Sequence, residues 1–217
     1  MPLFEELIGL MLYLGGGLSV TLEVTLLALS LGFSVGLSLA LLRVYGGLIP
    51  ASIIAAYTLL MRALPHILLL LIMYFVIANL VNLTPFWAGS LSLAIISGAY
   101  QAEILRGAIQ AVGSGQMMAA RTLGMTRLQA IRHIVLPQAL RLAIPAWSNE
   151  AAIIVKDSSL VYVLGVPELL RRAQYYSARS YQPFTAFIAV AAIYFVLTFL
   201  TNRILIALER RYRIPGF

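Results

Sequence analysis

Cysteine is absent from this sequence, and charged residues are scarce. Without cysteine there is no disulfide framework and no thiolate metal site, and the two histidines, His66 and His133, lie too far apart in sequence to suggest a metal centre. Only 11% of the residues are charged and 61% are hydrophobic, whereas a soluble domain is about 25% charged and about 45–50% apolar. Folding in water cannot hide that much apolar surface, so the composition predicts a protein that lies in a lipid bilayer.

Several classes of function leave no trace in the sequence. A phosphate loop of the Gly-x-x-x-x-Gly-Lys-Ser/Thr type is missing, and the dipeptide Gly-Lys does not occur. No nucleophile–base or metal constellation indicates a membrane-embedded enzyme. A secondary transporter driven by an ion gradient tends to be longer and to carry internal repeats, and no convincing repeat is found. The net charge of +7 is explained more simply by arginine-rich cytoplasmic loops than by nucleic-acid binding.

Five apolar stretches reach the length of about 20 residues that a membrane-spanning helix needs. They are Leu14–Leu42, Ala51–Leu80, Phe86–Val112, Leu140–Val166 and Phe184–Leu208. The second is interrupted by Arg62 and Pro65. We therefore predict an all-α membrane protein with about five transmembrane helices, forming a single transmembrane domain over residues 1–217. The first charges are Glu5 and Glu6 rather than basic residues, so we expect the first span to remain in the mature protein.

Arginines set the expected orientation of these spans. If the N-terminus lies outside and the C-terminus in the cytoplasm, most arginines face the cytoplasm, as the positive-inside rule requires. These are Arg43, Arg121, Arg127, Arg132, Arg141, Arg210, Arg211 and Arg213. The exceptions lie between spans four and five: Arg171, Arg172 and Arg179, beside Tyr175, Tyr176 and Tyr181. That segment is either an interfacial aromatic belt or a docking surface for an external protein.

The longest polar interruption, residues 113–139, separates spans three and four. Gly124 is its expected break, where a side chain would clash, and Pro137 is its expected stop. Between and around them, apolar residues recur at roughly helical spacing: Leu123, Leu128, Ile131, Ile134 and Val135. This pattern predicts a pair of short amphipathic helices at the cytoplasmic face. By itself it fits either a loop that lies on lipid or a segment with a function of its own.

The same segment resembles the EAA loop of ABC importer permeases. The pattern of that family is Glu-Ala-Ala, three residues, Gly, nine residues, Ile, one residue and Leu-Pro. This sequence matches the pattern at Ala119, Ala120, Gly124, Ile134, Leu136 and Pro137. It has Met118 at the position of the glutamate. Further similarities point to the polar amino-acid uptake branch, the histidine and glutamine permease type: Arg62-Ala63-Leu64-Pro65, Ala99-Tyr100-Gln101-Ala102-Glu103 and Lys156-Asp157-Ser158-Ser159-Leu160.

The resemblance implies a type I ABC importer permease fold and a role as the permease subunit of an ATP-driven importer in a bacterial inner membrane. Its partners would be two ATP-binding subunits, a second permease that is identical or homologous, and an extracytoplasmic protein that delivers a polar amino acid. The chain would itself be no enzyme, since ATP is bound by the separate ATPase. The residues in the EAA register, Met118 included, would couple to that ATPase. Met118 removes the usual acidic contact, which a second, different permease could supply.

Four polar side chains are expected near the middle of the bilayer: Arg62, Glu103, Asn149 and Glu150. A rise of about 1.5 Å per residue puts each of them about 14–16 Å from the cytoplasmic end of its span. Intramembrane charge is costly, and it is generally functional or paired. Two interpretations stay open. The group is either a translocation site for an amino-acid zwitterion, with Arg62 facing the carboxylate and a glutamate facing the ammonium, or a structural salt bridge such as Arg62–Glu103.

Two further ionisable residues, Lys156 and Asp157, lie about 25 Å from the cytoplasmic end of span four. They are candidates for a gate or for a structural role. His66 stands one helical turn from Arg62 and is expected only to pack.

Overall fold

Helices make up nearly all of the chain. The structure is a computed structural model that describes residues 2–212, except for the side chains of residues 2–4 and of Glu6. The helices are α1 (Pro2–Tyr45), α2 (Leu48–Ala63), α3 (His66–Ile72), α4 (Asn79–Val81), α5 (Pro85–Ala111), α6 (Ser114–Thr122), α7 (Arg127–Ala130), α8 (Leu136–Asp157), α9 (Leu169–Ser180) and α10 (Pro183–Tyr212). Two π-helical segments, Met73–Ala78 and Ile131–Val135, join α3 to α4 and α7 to α8, and the 3-10 segment Ser158–Leu164 follows α8. Arg213, the last of the predicted cytoplasmic arginines, lies outside the described residues.

The five predicted spans correspond to five long helical units. α1 and α10 are each long and apolar enough to cross a membrane, and α2 with α3–α4 qualifies as one bent unit. α5 and α8, with 27 and 22 residues, are long enough to span, but they are not apolar enough to qualify by the same measure. They carry the polar side chains that the sequence placed in spans three and four. α1, with 44 residues, is about 66 Å long and therefore exceeds the hydrocarbon core of a bilayer, which is about 30 Å thick.

α5 occupies the centre of the bundle, and α1 packs closely along it. A Cβ atom at Gly36 would lie 3.0 Å from the backbone nitrogen of Ala102 and from the carbonyl oxygen of Gly98. Because only glycine fits at this distance, the backbones of α1 and α5 come together as small residues allow in membrane helices. This packing holds the polar residues of α5 in a fixed position relative to its neighbours.

The second unit turns sharply at Leu64 and Pro65. The axes before and after the break differ by 106°. Leu64 is extended (φ −92°, ψ 145°), as is typical of a residue that precedes proline, and Pro65 has no N–H to continue the ladder of α2. The bend separates Arg62, at the end of α2, from His66, the first residue of α3.

The segment between α5 and α8 breaks where the sequence predicted, but for a different reason. Gly124 has φ +84°, and a Cβ atom built on it would have no atom within 4 Å, so the predicted steric clash is wrong. Glycine is favoured there because the left-handed conformation costs other residues energy. The amides of Gly124 and Met125 bond to the carbonyls of Arg121 and Ala120, which closes α6 with a Schellman motif. Thr126 and Gln129 then start α7 with a capping box.

Pro137 does not stop the helix, so that expectation is wrong. It lies in the first turn of α8, and the helical path runs on from α7 through the π-helical segment Ile131–Val135. Proline is tolerated at this position because a first-turn residue needs no intrahelical N–H bond, and the π turn accommodates the ring. The segment is therefore physically continuous with α8.

α9 lies between spans four and five and is anchored at its start by Glu168. The carboxylate accepts hydrogen bonds from the backbone amides of Leu170 (2.8 Å) and Arg171 (2.6 Å) and from the hydroxyl of Tyr194 on α10 (2.8 Å). Burial raises the pKa of this carboxyl, although the three donors oppose the shift. Tyr13 and Tyr176 have rings 6.5 Å apart, so α9 also contacts α1.

Candidate translocation site and coupling segment

Two basic side chains flank the bend between α2 and α3, and both contact Tyr100 of α5. The guanidinium carbon of Arg62 lies 5.2 Å from the centroid of the Tyr100 ring, within range of a cation–π interaction. The ring of His66 meets the same tyrosine edge-on at 5.8 Å. The side chain of Arg62 is exposed. Tyr100 thus links the two sides of the bend to the central helix.

His66 also pairs with Asp157, at the last position of α8. His66 Nδ1 lies 2.8 Å from Asp157 Oδ2, and both side chains are about four-fifths buried, with exposures of 21% and 23%. The sequence suggested a packing role for His66 and a gate role for Asp157, and it gave no signal that they meet. They are 91 residues apart, and only the sharp bend brings α3 against the end of α8.

Glu150 is buried (4% exposed) and belongs to a hydrogen-bond chain between α5 and α8. Ser97 Oγ donates to Glu150 Oε1 at 2.9 Å, and Gln101 Nε2 donates to Ser97 Oγ at 2.9 Å. Trp147 Nε1 completes the chain by donating to Gln101 Oε1 at 2.7 Å. Asp157 follows Glu150 by two turns of the same helix, and its partner His66 lies across the bend from Arg62, so the four groups are neighbours.

Asn149 and Lys156 occupy the exposed face of α8. They are seven residues, or about two turns, apart, and so lie on the same side of the helix. Both are exposed, like Arg62. The polar band, as we name it, consists of Arg62, His66, Asn149, Glu150, Lys156 and Asp157. It contains three of the four predicted mid-membrane residues and both gate candidates.

Glu103 has other partners than predicted. Arg43 and Thr58 donate to Glu103 Oε1, the latter at 2.8 Å, and Arg106 Nη2 lies 2.8 Å from Oε2. The suggested Arg62–Glu103 salt bridge is therefore wrong, because Arg62 is turned to Tyr100. The partner of Glu103 on α1 is Arg43, which is 60 residues away in sequence. Because Arg43 follows span one, the sequence indicated only that it is a cytoplasmic arginine. Glu103 ties α1, α2 and α5 together.

The coupling segment, residues 113–139, presents apolar side chains on its surface. Met118 (69%), Leu123 (84%) and Leu128 (74%) are exposed, whereas Ala120 is buried. The apolar residues of the predicted amphipathic pattern have two different environments. Val135 packs into the bundle near α5, and Ile131 and Ile134 are half-buried. Leu123 and Leu128 face outward instead. An exposed apolar patch of this kind indicates a contact surface.

A helical bundle that gathers ionisable side chains at the level of its membrane-spanning helices is typical of a membrane transport subunit. Residues 11–214 match the family described as "Binding-protein-dependent transport system inner membrane component". The chain belongs to this family.

Curated relatives are permease proteins of named transport systems. The octopine transport system permease protein OccQ of Agrobacterium tumefaciens (strain Ach5) is 35% identical over 197 residues, which cover 83% of each chain. The glutamine transport system permease protein GlnP of Escherichia coli (strain K12) is 35% identical over 201 residues, which cover 91% of this chain and 92% of the relative. The predicted resemblance to ABC importer permeases is thus confirmed.

Solved structures share the fold. A crystal structure of an amino acid ABC transporter with histidines superposes with a TM-score of 0.86 at 37% identity, covering 96% of this chain and 98% of that one. An inward-facing structure of the MetNI methionine ABC transporter has a TM-score of 0.80 at 22% identity, covering 95% and 99%, and supports the fold alone. The predicted type I ABC importer permease fold is confirmed, and the chain is the membrane subunit of such an importer.

Proposed function

We propose that this chain, together with a second permease, forms the path by which a polar amino acid crosses the bacterial inner membrane. An extracytoplasmic binding protein delivers the substrate, and two copies of a separate ATP-binding subunit supply the energy. The names of the relatives support an amino acid or an amino-acid derivative as substrate, since they move glutamine and octopine. The N-terminus lies outside and the C-terminus lies in the cytoplasm.

The polar band, with Arg62, Asn149 and Lys156 exposed around the buried Glu150, is the single observation that carries this proposal. A zwitterion brings a carboxylate and an ammonium into the membrane, and both need partners there. Arg62 has an exposed guanidinium for the carboxylate, while Asn149 adds an amide for hydrogen bonding on the same level. Glu150, backed by Ser97, supplies negative charge to the ammonium.

Glu103 contributes to the path in a different way. Its carboxylate already accepts from Arg43, Thr58 and Arg106, so it is not free to receive a substrate ammonium. We assign it a positioning role beside the path, where it fixes α1 and α2 against α5.

Lys156 and Asp157 form the proposed gate with His66. The His66–Asp157 contact crosses from α3 to α8 beyond Glu150, and its opening would separate the two helices at that level. Lys156 presents a positive charge beside it, which would attract the substrate carboxylate on entry.

The coupling segment docks on the ATPase in this proposal. The register residues lie on α6, the turn at Gly124, the π-helical segment Ile131–Val135 and the start of α8: Met118, Ala119, Ala120, Gly124, Ile134, Leu136 and Pro137. Movement of the ATPase would therefore reach α8 directly. Met118 offers an apolar contact in place of the glutamate of the family pattern. The exposure of Leu123 and Leu128 beside it favours a protein partner over water.

Reconstituted transport tests the proposal. The permease is assembled with its ATPase in proteoliposomes, and uptake of acidic, basic and amide amino acids is measured with the loaded binding protein. We expect ATP-dependent uptake of one class, with Arg62→Met reducing it at least tenfold while assembly persists. Arg203→Met is the matched control, because Arg203 is an exposed arginine on α10 outside the band. Normal uptake by Arg62→Met, or an equal loss in both variants, would contradict the assignment.

A further inference from the structure

An apolar groove lies on the side of α8 away from the polar band. Three cavities of about 380, 260 and 550 Å³ follow one another there, and Trp147 lines all three. α8 forms the floor, and α1 and α10 form the walls. Asn149 follows Trp147 by two residues, so the two side chains point about 200° apart around the helix. The groove therefore opens away from the face that carries Arg62 and Lys156.

The groove is long enough to span one leaflet. It runs along α1 from Leu22 to Ser34, along α10 from Thr201 to Tyr212 and along α8 from Leu140 to Val155. These stretches rise about 16–22 Å, which is at least half of the hydrocarbon core of about 30 Å. The rims are open, since Leu26 is 66% exposed. These dimensions suit an acyl chain that lies along the bundle within a single leaflet.

One end of the groove carries an unpaired positive charge. Arg141 and Tyr212 line the 380 Å³ cavity at the end nearest the coupling segment. Arg141 is exposed and makes no hydrogen bond or ion pair with any residue in the described part of the chain. Arg43 and Arg106, by contrast, are both engaged with Glu103. A free guanidinium at the mouth of an apolar groove complements a headgroup phosphate on an acyl chain.

We propose that this groove is a binding site for one anionic phospholipid. Its acyl chain lies along Trp147, and its phosphate lies on the guanidinium of Arg141 beside the hydroxyl of Tyr212. Assignment to the cytoplasmic leaflet rests on the proposed orientation, and the binding itself does not. Because Arg141 lies two residues after the coupling segment, the lipid braces the start of α8 against α1 and α10.

Native mass spectrometry of the assembled importer tests this site. Delipidated complex is titrated with phosphatidylglycerol or with phosphatidylcholine of the same acyl chains. We expect preferential retention of phosphatidylglycerol. Arg141→Gln should weaken it roughly tenfold, the scale of one hydrogen bond to a charged group, and should leave phosphatidylcholine unchanged. Ile144→Trp, which fills the groove, should reduce retention of both lipids in complexes that still assemble.

Arg203→Gln is the control, since Arg203 is a second exposed arginine near the cytoplasmic end that does not line the groove. An equal loss of phosphatidylglycerol in both arginine variants would overturn the site in favour of general surface charge. Unchanged binding in Arg141→Gln would overturn it as well. Cysteines at Leu26 and Ile204 provide a further check in a chain that has none. A disulfide between two permease copies through these positions would show that a permease covers the groove, and the lipid proposal would then fail.

Discussion

His66 Nδ1 lies 2.8 Å from Asp157 Oδ2, and this contact ties the first residue of α3 to the last residue of α8. α3 follows a bend of 106°, whereas α8 continues from the coupling segment. The pair thus links α8, which moves with the ATPase in the proposed mechanism, to α3, which lies beyond the bend. A contact between two such elements is suited to hold one conformation of the path.

Breaking this contact should favour the other conformation. A hydrogen bond to a charged group contributes about 1.5–3 kcal/mol, which corresponds to a population shift of about 10–100-fold. We expect Asp157→Asn to raise ATP hydrolysis in the absence of the binding protein, with a smaller increase for His66→Gln. Basal ATPase activity of the assembled importer measures the effect.

Ser159→Ala is the control for the gate variants, because the Ser159 hydroxyl bonds only locally, to the carbonyl of Lys156. It should leave basal hydrolysis unchanged. If Asp157→Asn hydrolyses ATP no faster than Ser159→Ala does, the contact does not hold a conformation.

The left-handed turn at Gly124 gives a second prediction. A non-glycine residue at φ +84° costs about 1–2 kcal/mol, and there is open space for its side chain. Gly124→Val should therefore misplace α6 and reduce co-purification of the ATPase and uptake. Gly124→Asn should keep both close to normal, because asparagine tolerates this conformation.

The pair of variants at Gly124 separates backbone strain from surface change. An equal defect in the two would mean that the docked ATPase leaves no room for any side chain. Normal docking in Gly124→Val would remove the turn from the coupling interface altogether.

Local signals in the sequence identified the spans and the turn, whereas the sequence did not predict which charged side chains pair with each other. Composition indicated a membrane protein, the lengths of the apolar stretches predicted about five membrane helices, and the glycine at position 124 marked the break because one residue decides that turn. The Glu103–Arg43 contact depends on how α1 lies against α5, which is set by glycines such as Gly36 and not by the charges themselves. The His66–Asp157 contact depends on the bend angle at Pro65, and a proline predicts an interruption but not its direction.

The predicted orientation can be measured with single cysteines, since the chain has none. Ala178→Cys on α9 and Gly115→Cys on α6 are both exposed. A membrane-impermeant maleimide should label Ala178→Cys in intact cells, and it should label Gly115→Cys only in inverted vesicles. Labelling of Gly115→Cys from outside would reverse the orientation, despite the arginine distribution that predicts it.

The last prediction distinguishes the two kinds of mid-membrane charge. Glu103 is only 16% exposed and holds two arginines, so Glu103→Gln leaves Arg43 with a weakened partner at a site with little water. We expect a lower Tm and a loss of about 1–3 kcal/mol, the cost of an unmatched buried polar group. Arg62→Met should melt almost normally, because Arg62 is exposed and its guanidinium contacts only the face of the Tyr100 ring among the described residues.

A double-mutant cycle on Arg43 and Glu103 completes the comparison. If the pair is structural, Arg43→Met with Glu103→Gln should melt higher than the sum of the single losses predicts, since neither partner is then left unmatched. Arg62→Met with Glu103→Gln should be additive in Tm, because the two side chains have separate partners. Coupling between Arg62 and Glu103 as strong as that between Arg43 and Glu103 would mean that the charges rearrange into one network during transport. The division into a path-lining arginine and a positioning glutamate would then be wrong.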